Sequence, residues 1–203
     1  MEINLIFSLA ILIFSIVLHE LAHGYTAYFL GDPTAKYAGR LTINPIKHME
    51  LFGSVIVPLI TALLPGGIVF GWAKPVPFNP YNLRTKKWGE AIVAIVGPLS
   101  NLTIALIFGG LIRFIQAGSI PDSAFPILLL ITTVNVTLAV FNLMPIPPLD
   151  GSRILYSLLP YKYAYIKENI ERHSLLYVLI FVFILWQFFE PLIPWLVRVI
   201  TGL

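Results

Sequence analysis

The chain has 203 residues, of which 58% are hydrophobic and only 11% charged, with a formal net charge of +3. Soluble domains carry about 25% charged residues, so the composition excludes an ordinary soluble domain and describes a polytopic membrane protein. Four or so spans and their loops take up the whole length, leaving no room for a separate soluble domain. The absence of cysteine excludes disulfides, thiolate zinc sites and iron–sulfur clusters. The excess of lysine and arginine reads as a determinant of membrane orientation, not as a nucleic-acid surface.

The N-terminus has Glu2 where a signal peptide would be basic, and residues Ile3 to Leu18 carry no charge. This run is expected to be a permanent first span, helical to Leu30 and stopped by Gly31-Asp32-Pro33. Lys36 to Ile43 reads as a short strand or hairpin, closed by Asn44-Pro45. A second apolar segment, Leu51 to Trp72, is interrupted by Pro58 and by Pro65-Gly66-Gly67. A polar, proline-rich loop follows from Ala73 to Lys87. Two further spans are expected over Trp88–Ala117 and Phe125–Met144. The prolines of Pro145 to Gly151 break the chain before a short helix to Leu159. A last span is expected over His173–Phe189, with a tail, Trp195 to Ile200, along the interface. The fold class is therefore an α-helical polytopic membrane protein with about four transmembrane helices, a re-entrant segment and a short membrane-associated β-strand or hairpin. It forms a single membrane-embedded domain over residues 1–203, its C-terminal helix at about 173–203.

His19-Glu20-Leu21-Ala22-His23 spells H-E-x-x-H within the first span. On a helix, positions 19 and 23 lie one turn apart on one face, so two imidazoles can share a zinc ion, with Glu20 beside them as a base for water. Catalytic zinc sites use three protein ligands. His48 and His173 fall in loops with basic neighbours, while Glu50, Glu90, Asp122 and Glu190 lie at span ends. Asp150 differs, because it follows a proline-broken span and precedes Gly151; an acid in such a segment is a functional-site candidate. A chance cluster of buried, unpaired titratable groups in a span would cost several kcal/mol, which a metal removes.

Charge and site geometry converge on one threading. If Leu51 to Trp72 enters and returns on the same side, Lys36, Arg40, Lys47, Lys74, Arg84, Lys86, Lys87, Arg153, Lys162, Lys167 and Arg172 share one face, cytoplasmic by the positive-inside rule, and only Arg113 and Arg198 lie elsewhere. The same path places an even number of crossings between His23 and Asp150, as their meeting requires.

With these residues in view, the chain resembles the site-2 protease family of intramembrane zinc metalloproteases. His19-Glu20-Leu21-Ala22-His23 and Asn142-x-x-Pro145-x-Pro147-x-Leu149-Asp150-Gly151 are similar to that family's two signatures. Gly97-Pro98-Leu99-Ser100-Asn101 is similar to the motif opening its central helix. The resemblance covers about residues 5–155, the catalytic core. It implies one zinc ion per chain held by His19, His23 and Asp150, with Glu20 catalytic, a site near the cytoplasm of a prokaryotic cell membrane, and single-span membrane proteins as substrates. The chain looks like a minimal form, without PDZ or CBS domains.

Zinc lowers the pKa of water to about 7, Glu20 moves the proton to the leaving amine, and Asn142 is the best candidate donor to the developing oxyanion. Interhelical hydrogen bonding is the plainer role for Asn101, and close helix packing for Gly97-Pro98. The Lys36–Ile43 strand is expected to dock an unwound substrate by edge addition. The expected function is an intramembrane zinc endopeptidase, serving regulated intramembrane proteolysis or the clearance of signal-peptide remnants. The alternatives are a non-catalytic, protease-like membrane scaffold that binds helices and, third, a metal transporter.

Overall fold

The first helix, α1, runs Leu5–Phe29; it holds no proline, and its one glycine, Gly24, costs only about 1 kcal/mol against alanine and does not end it. Its stop is a Schellman motif: Gly31 takes φ 107°, Gly31 N–H donates to Tyr28 O at 3.0 Å, and Asp32 N–H donates to Ala27 O at 2.9 Å. The computed structural model describes residues 5–57, 60, 73–85, 88–116, 118, 121–159, 170 and 172–203. Within these, α2 is Thr34–Tyr37, α3 Gly89–Gln116, α4 Phe125–Asn142, α5 Asp150–Leu158, α6 Ser174–Ile180, α7 Trp186–Phe189 and α8 Leu192–Thr201.

The strand expected at Lys36–Ile43 is not there, and the described residues contain no strand. Local capping overrides the alternating pattern. The Asp32 carboxylate accepts from Thr34 N–H at 3.2 Å and Thr34 Oγ1–H at 2.5 Å, which starts the single turn of α2 immediately after Pro33. Gly39, at φ 63°, ends it, with Arg40 N–H donating back to Ala35 O at 2.9 Å. The edge on which a substrate was expected to pair is therefore missing from this stretch.

The Pro65-Gly66-Gly67 tip and the path of 61–72 lie outside the described residues, but both flanks are held at the C-terminal end of α1. Lys74 N–H donates to His48 O at 2.8 Å, Arg40 Nη2–H donates to Lys74 O at 2.6 Å, and Arg84 N–H donates to Leu30 O at 2.8 Å. Asp32 closes this junction by also accepting from Asn79 N–H at 2.6 Å and Asn82 Nδ2–H at 2.8 Å.

Among the described residues, three helices are long and apolar enough to cross a membrane: Ile6–Phe29, Gly89–Ile115 and, with its leading turn, Asp122–Asn142. The central one, α3, packs against α1, α4, α5 and α8. Val93, Ala94, Ala105 and Ile112 on it are fully buried, and Pro98 is accommodated without ending it. The last expected span is helical from Ser174, passes through a π-turn at Phe181–Leu185 and continues as α7; it is shorter than the other three. Phe181 and Trp186 lay their rings against Phe141 of α4 at 5.8 and 5.4 Å. The tail expected along the interface instead packs on α3 and α4 as α8, burying Ile193, Val197 and Thr201 at helical spacing. Arg113 of α3 caps it by donating to the carbonyls of Val199 and Ile200 at 2.8 and 3.1 Å.

Asp32 is fully buried. Burial pushes its carboxyl up, but the hydrogen bonds from Thr34, Asn82 and Asn79 outweigh it and hold the group below the usual carboxylate range. A depressed folded-state pKa gives stability that is present above the unfolded value of about 4 and lost as pH falls through the lower folded value. Asp32→Asn is therefore expected to cost about 1–3 kcal/mol at pH 7. The variant and wild type should converge in stability as the pH falls below the depressed folded-state value. Thermal unfolding in detergent across that range checks both expectations.

Candidate metal centre

Two elements far apart in sequence supply the centre. His19 and His23 project one turn apart from α1, and Asp150 opens α5. Their ligating atoms converge: His19 Nε2 and His23 Nε2 are 3.0 Å apart, and each lies 3.1 Å from Asp150 Oδ2. This is the cluster of three His or acidic side chains able to hold a metal ion among the described residues. The loop between α4 and α5 makes the approach possible. A Cβ at Gly151 would strike the carbonyl oxygens of Leu143 and Met144, so only glycine lets the chain fold back tightly enough to bring Asp150 under α1.

The other ring nitrogens decide whether the cluster suits a cation. His23 Nδ1–H donates to the Val93 carbonyl at 2.7 Å, an atom that can only accept. His19 Nδ1–H donates to Asn101 Oδ1 at 2.6 Å; Asn101 Nδ2–H is committed to Asn135 Oδ1 at 2.9 Å. Asn135 in turn donates to Ser15 Oγ at 3.0 Å. Both imidazoles therefore keep a proton on Nδ1, and in the neutral form each turns a lone pair on Nε2 toward the other ring and toward a carboxylate. Lone pairs facing at 3.0 Å repel unless a cation lies between them. Tetrahedral zinc with bonds of about 2.0–2.2 Å separates its ligand atoms by about 3.3–3.6 Å, a few tenths wider than the spacing seen. The donor set fits, and the acceptors behind the rings are the outer partners that orient ligating histidines.

Glu20 points into the same cavity, where Val76 N–H donates to its Oε2 at 2.7 Å. The cavity has a volume of about 360 Å³ and is walled by α1, the extended run 73–78, the end of α4 and the start of α5. Asn142 lines it too, with one amide proton given to its own helix at Leu138 O, 2.9 Å away. The rejected ligand candidates lie elsewhere. His48 is buried and donates from Nε2 to Thr42 O at 2.8 Å, and His173 is exposed at the start of α6. Glu50, Glu90, Asp122 and Glu190 are outside the cluster.

Sequence reasoning underrated Asn101 and missed Ser15, Asn135 and the Val93 carbonyl. Asparagines within apolar runs were visible, but nothing local tells a packing amide from one that fixes an imidazole. The role of Gly97 was also only half legible. A Cβ there would collide with His23 Nε2 and Cε1 and come within 2.7 Å of His19 Cε1, so its smallness serves the two rings more than the helices.

Paired imidazoles, a carboxylate and an adjacent acid, carried on helices able to cross a bilayer, form the arrangement of a membrane metallohydrolase. Residues 108–185 match the model of Peptidase family M50. YwhC of Bacillus subtilis, named a candidate zinc metalloprotease, is 41% identical over 158 residues, covering 73% of this chain and 67% of that protein. Rip2 of Mycolicibacterium smegmatis, named likewise, is 36% identical over 140 residues, 68% of this chain and 51% of its own. The zinc metalloprotease MJ0392 of Methanocaldococcus jannaschii is 31% identical over 179 residues, 85% of this chain and 42% of its own. The chain belongs to peptidase family M50, a family of zinc metalloproteases. It spans two thirds of the Bacillus protein and about half or less of the other two. No solved structure matches it significantly.

Gly97→Ala is expected to keep α3 helical, since alanine favours helix by about 1 kcal/mol over glycine. It should also displace both imidazoles and strip the protein of metal. Metal content of the purified variant by atomic emission, beside its circular dichroism, checks this; a fully loaded variant would refute the steric role.

Proposed function

We propose that this protein is an intramembrane zinc endopeptidase that hydrolyses peptide bonds within or near the transmembrane helices of single-span membrane proteins. Its context would be regulated intramembrane proteolysis or the clearance of signal-peptide remnants. The observation that carries the reading is the meeting of His19 Nε2, His23 Nε2 and Asp150 Oδ2 beside Glu20 in one cavity. His19, His23 and Asp150 would hold one zinc ion. With zinc bound, the site gains a Lewis acid that acidifies water to a pKa of about 7 and polarises a carbonyl.

Everything else is the work of the chain's own side chains. Glu20 takes the proton of the attacking water on its carboxylate and returns it to the nitrogen of the leaving amine. The Val76 amide, bonded to Oε2, holds that carboxylate in the cavity and leaves Oε1 to receive the proton. The free amide proton of Asn142 is the donor offered to the developing oxyanion. The apolar wall, including Leu138, Phe141 and Val178, lowers the local dielectric and so strengthens each of these interactions.

The threading belongs to the same reading. Lys36, Arg40, Lys47, Lys74 and Arg84 flank the end of α1 nearest the site, whereas Arg113 and Arg198 sit near the far end of α3. By the positive-inside rule the site faces the cytoplasm. Residues 1–203 would act as one membrane-embedded domain in the lipid bilayer, its core at about 5–155.

The test is reconstitution with a labelled single-span substrate. Glu20→Gln is expected to lower cleavage by about 10²–10⁴-fold while retaining metal. Asp150→Asn is expected to lose the metal itself. Equal cleavage by wild type and Glu20→Gln would leave a helix-binding scaffold as the better description.

A further inference from the structure

Apart from the donor set and Glu20, one further charge lines the described part of the cavity: Arg153. It follows Asp150 by three residues on α5, so the two side chains leave the same face of that helix, about 4.5 Å apart along its axis. Its Cζ lies 5.0 Å from the centroid of the Phe78 ring. A ring contact holds the cation in place without spending an acceptor on it, and so leaves the N–H donors of the guanidinium unused. Among the described residues Arg153 has no carboxylate or carbonyl partner, although it is half-buried and its neighbours in the cavity include Ile16, Phe141 and Val178. A cation in that position is costly unless something anionic meets it. The carboxylates among the described lining residues are engaged: Asp150 by the two imidazoles, Glu20 by the Val76 amide.

Resting on the peptidase reading, we propose that Arg153 is a specificity-determining residue that receives a carboxylate of the substrate close to the scissile bond. Guanidinium and carboxylate pair through two parallel hydrogen bonds, a match that neither water nor a neutral amide reproduces. An extended substrate advances about 3.3 Å per residue, so the offset along α5 places that carboxylate within about three residues of the bond. The group is an aspartate or glutamate side chain, or the α-carboxylate of a chain cut near its end. Phe78 is the positioning partner. Because it also packs against the buried cluster of Ala27, Leu83 and Val93, the guanidinium is fixed relative to α1 and hence to the metal ligands.

The experiment uses the full, zinc-loaded chain and a set of single-span peptides that differ only in one glutamate walked through three positions on each side of the cleaved bond, each paired with glutamine. A second pair carries a free or an amidated C-terminus. At one position, or at the terminus, the carboxylate should raise kcat/KM by about tenfold to a hundredfold, mainly through KM. The pair that shows the effect identifies the source. Arg153→Gln should erase that preference, and Arg153→Glu should transfer it to a peptide with lysine at the same position. Arg153→Gln with the preference intact, or wild type cleaving every member of both sets alike, would overturn the assignment. The wild-type series decides even where a variant fails to fold. Neutral peptides cut by wild type but not by Glu20→Gln would leave the peptidase reading standing while the Arg153 assignment fell. No cleavage of any peptide would sink the peptidase reading, and this inference with it.

Discussion

Two protons on two imidazole rings hold the rest of this structure to its purpose. Because His19 and His23 give their Nδ1 protons to an amide oxygen and a backbone carbonyl, both Nε2 lone pairs are turned inward. A neutral imidazole has one donor and one acceptor nitrogen, so fixing one fixes the other. The chain Ser15–Asn135–Asn101–His19 therefore does more than join helices. It threads α1, α3 and α4 together at a level where a slip of one helix by a single residue would rotate Asn101 away and release the ring. Polar networks in low dielectric are costly when incomplete and rigid when complete. This one is complete at each amide, which ties packing of the bundle to orientation of the donors.

The second dependency runs through the loop over the cavity. Residues 73–79 have no regular structure, yet they are pinned at Lys74 to His48 and Arg40, at Val76 to Glu20, and at Asn79 to Asp32. Asp32 belongs to the cap of α1, so the helix that carries H-E-x-x-H also anchors the segment that positions its glutamate. The loop amide on Glu20 Oε2 fixes where that carboxylate sits in the cavity. The same loop delivers Phe78 to Arg153. One stretch of backbone thus sets the acid, the roof and the place of Arg153 in the cavity.

What was readable in advance follows a physical rule. H-E-x-x-H was legible because an i, i+4 pair shares a helix face regardless of tertiary context. Asp150 was legible because an acid beside prolines and glycine in an apolar chain has few other uses. The strand at Lys36–Ile43 failed because its alternation is short, and two local devices, the Asp32 carboxylate and Gly39 in the left-handed region, outweigh so brief a pattern. The tail at Trp195–Ile200 was misread for a similar reason: an amphipathic stripe suits an interface and a bundle groove equally, and the Arg113 guanidinium that selects the groove comes from another helix. Contacts between distant amides, such as Asn101 with Asn135, leave no local pattern at all.

Donor geometry and threading are one constraint seen twice. His23 lies near the C-terminal end of α1, Gly97 fits beside its ring near the start of α3, and Asn142 ends α4 at the same cavity. α3 must therefore leave from the site end and α4 return to it, an even pair of crossings that brings Asp150 back to the histidines. Any arrangement with a single net crossing between α1 and α3 would bury Gly97 against the wrong half of α1 and leave both rings without their acceptors. The described flanks of 61–72 agree with this, since Lys74 is bonded to His48 and Arg84 to Leu30 at the end of α1. The need to satisfy two imidazoles inside a bilayer therefore constrains the path of the chain on either side of a segment that contributes no ligand.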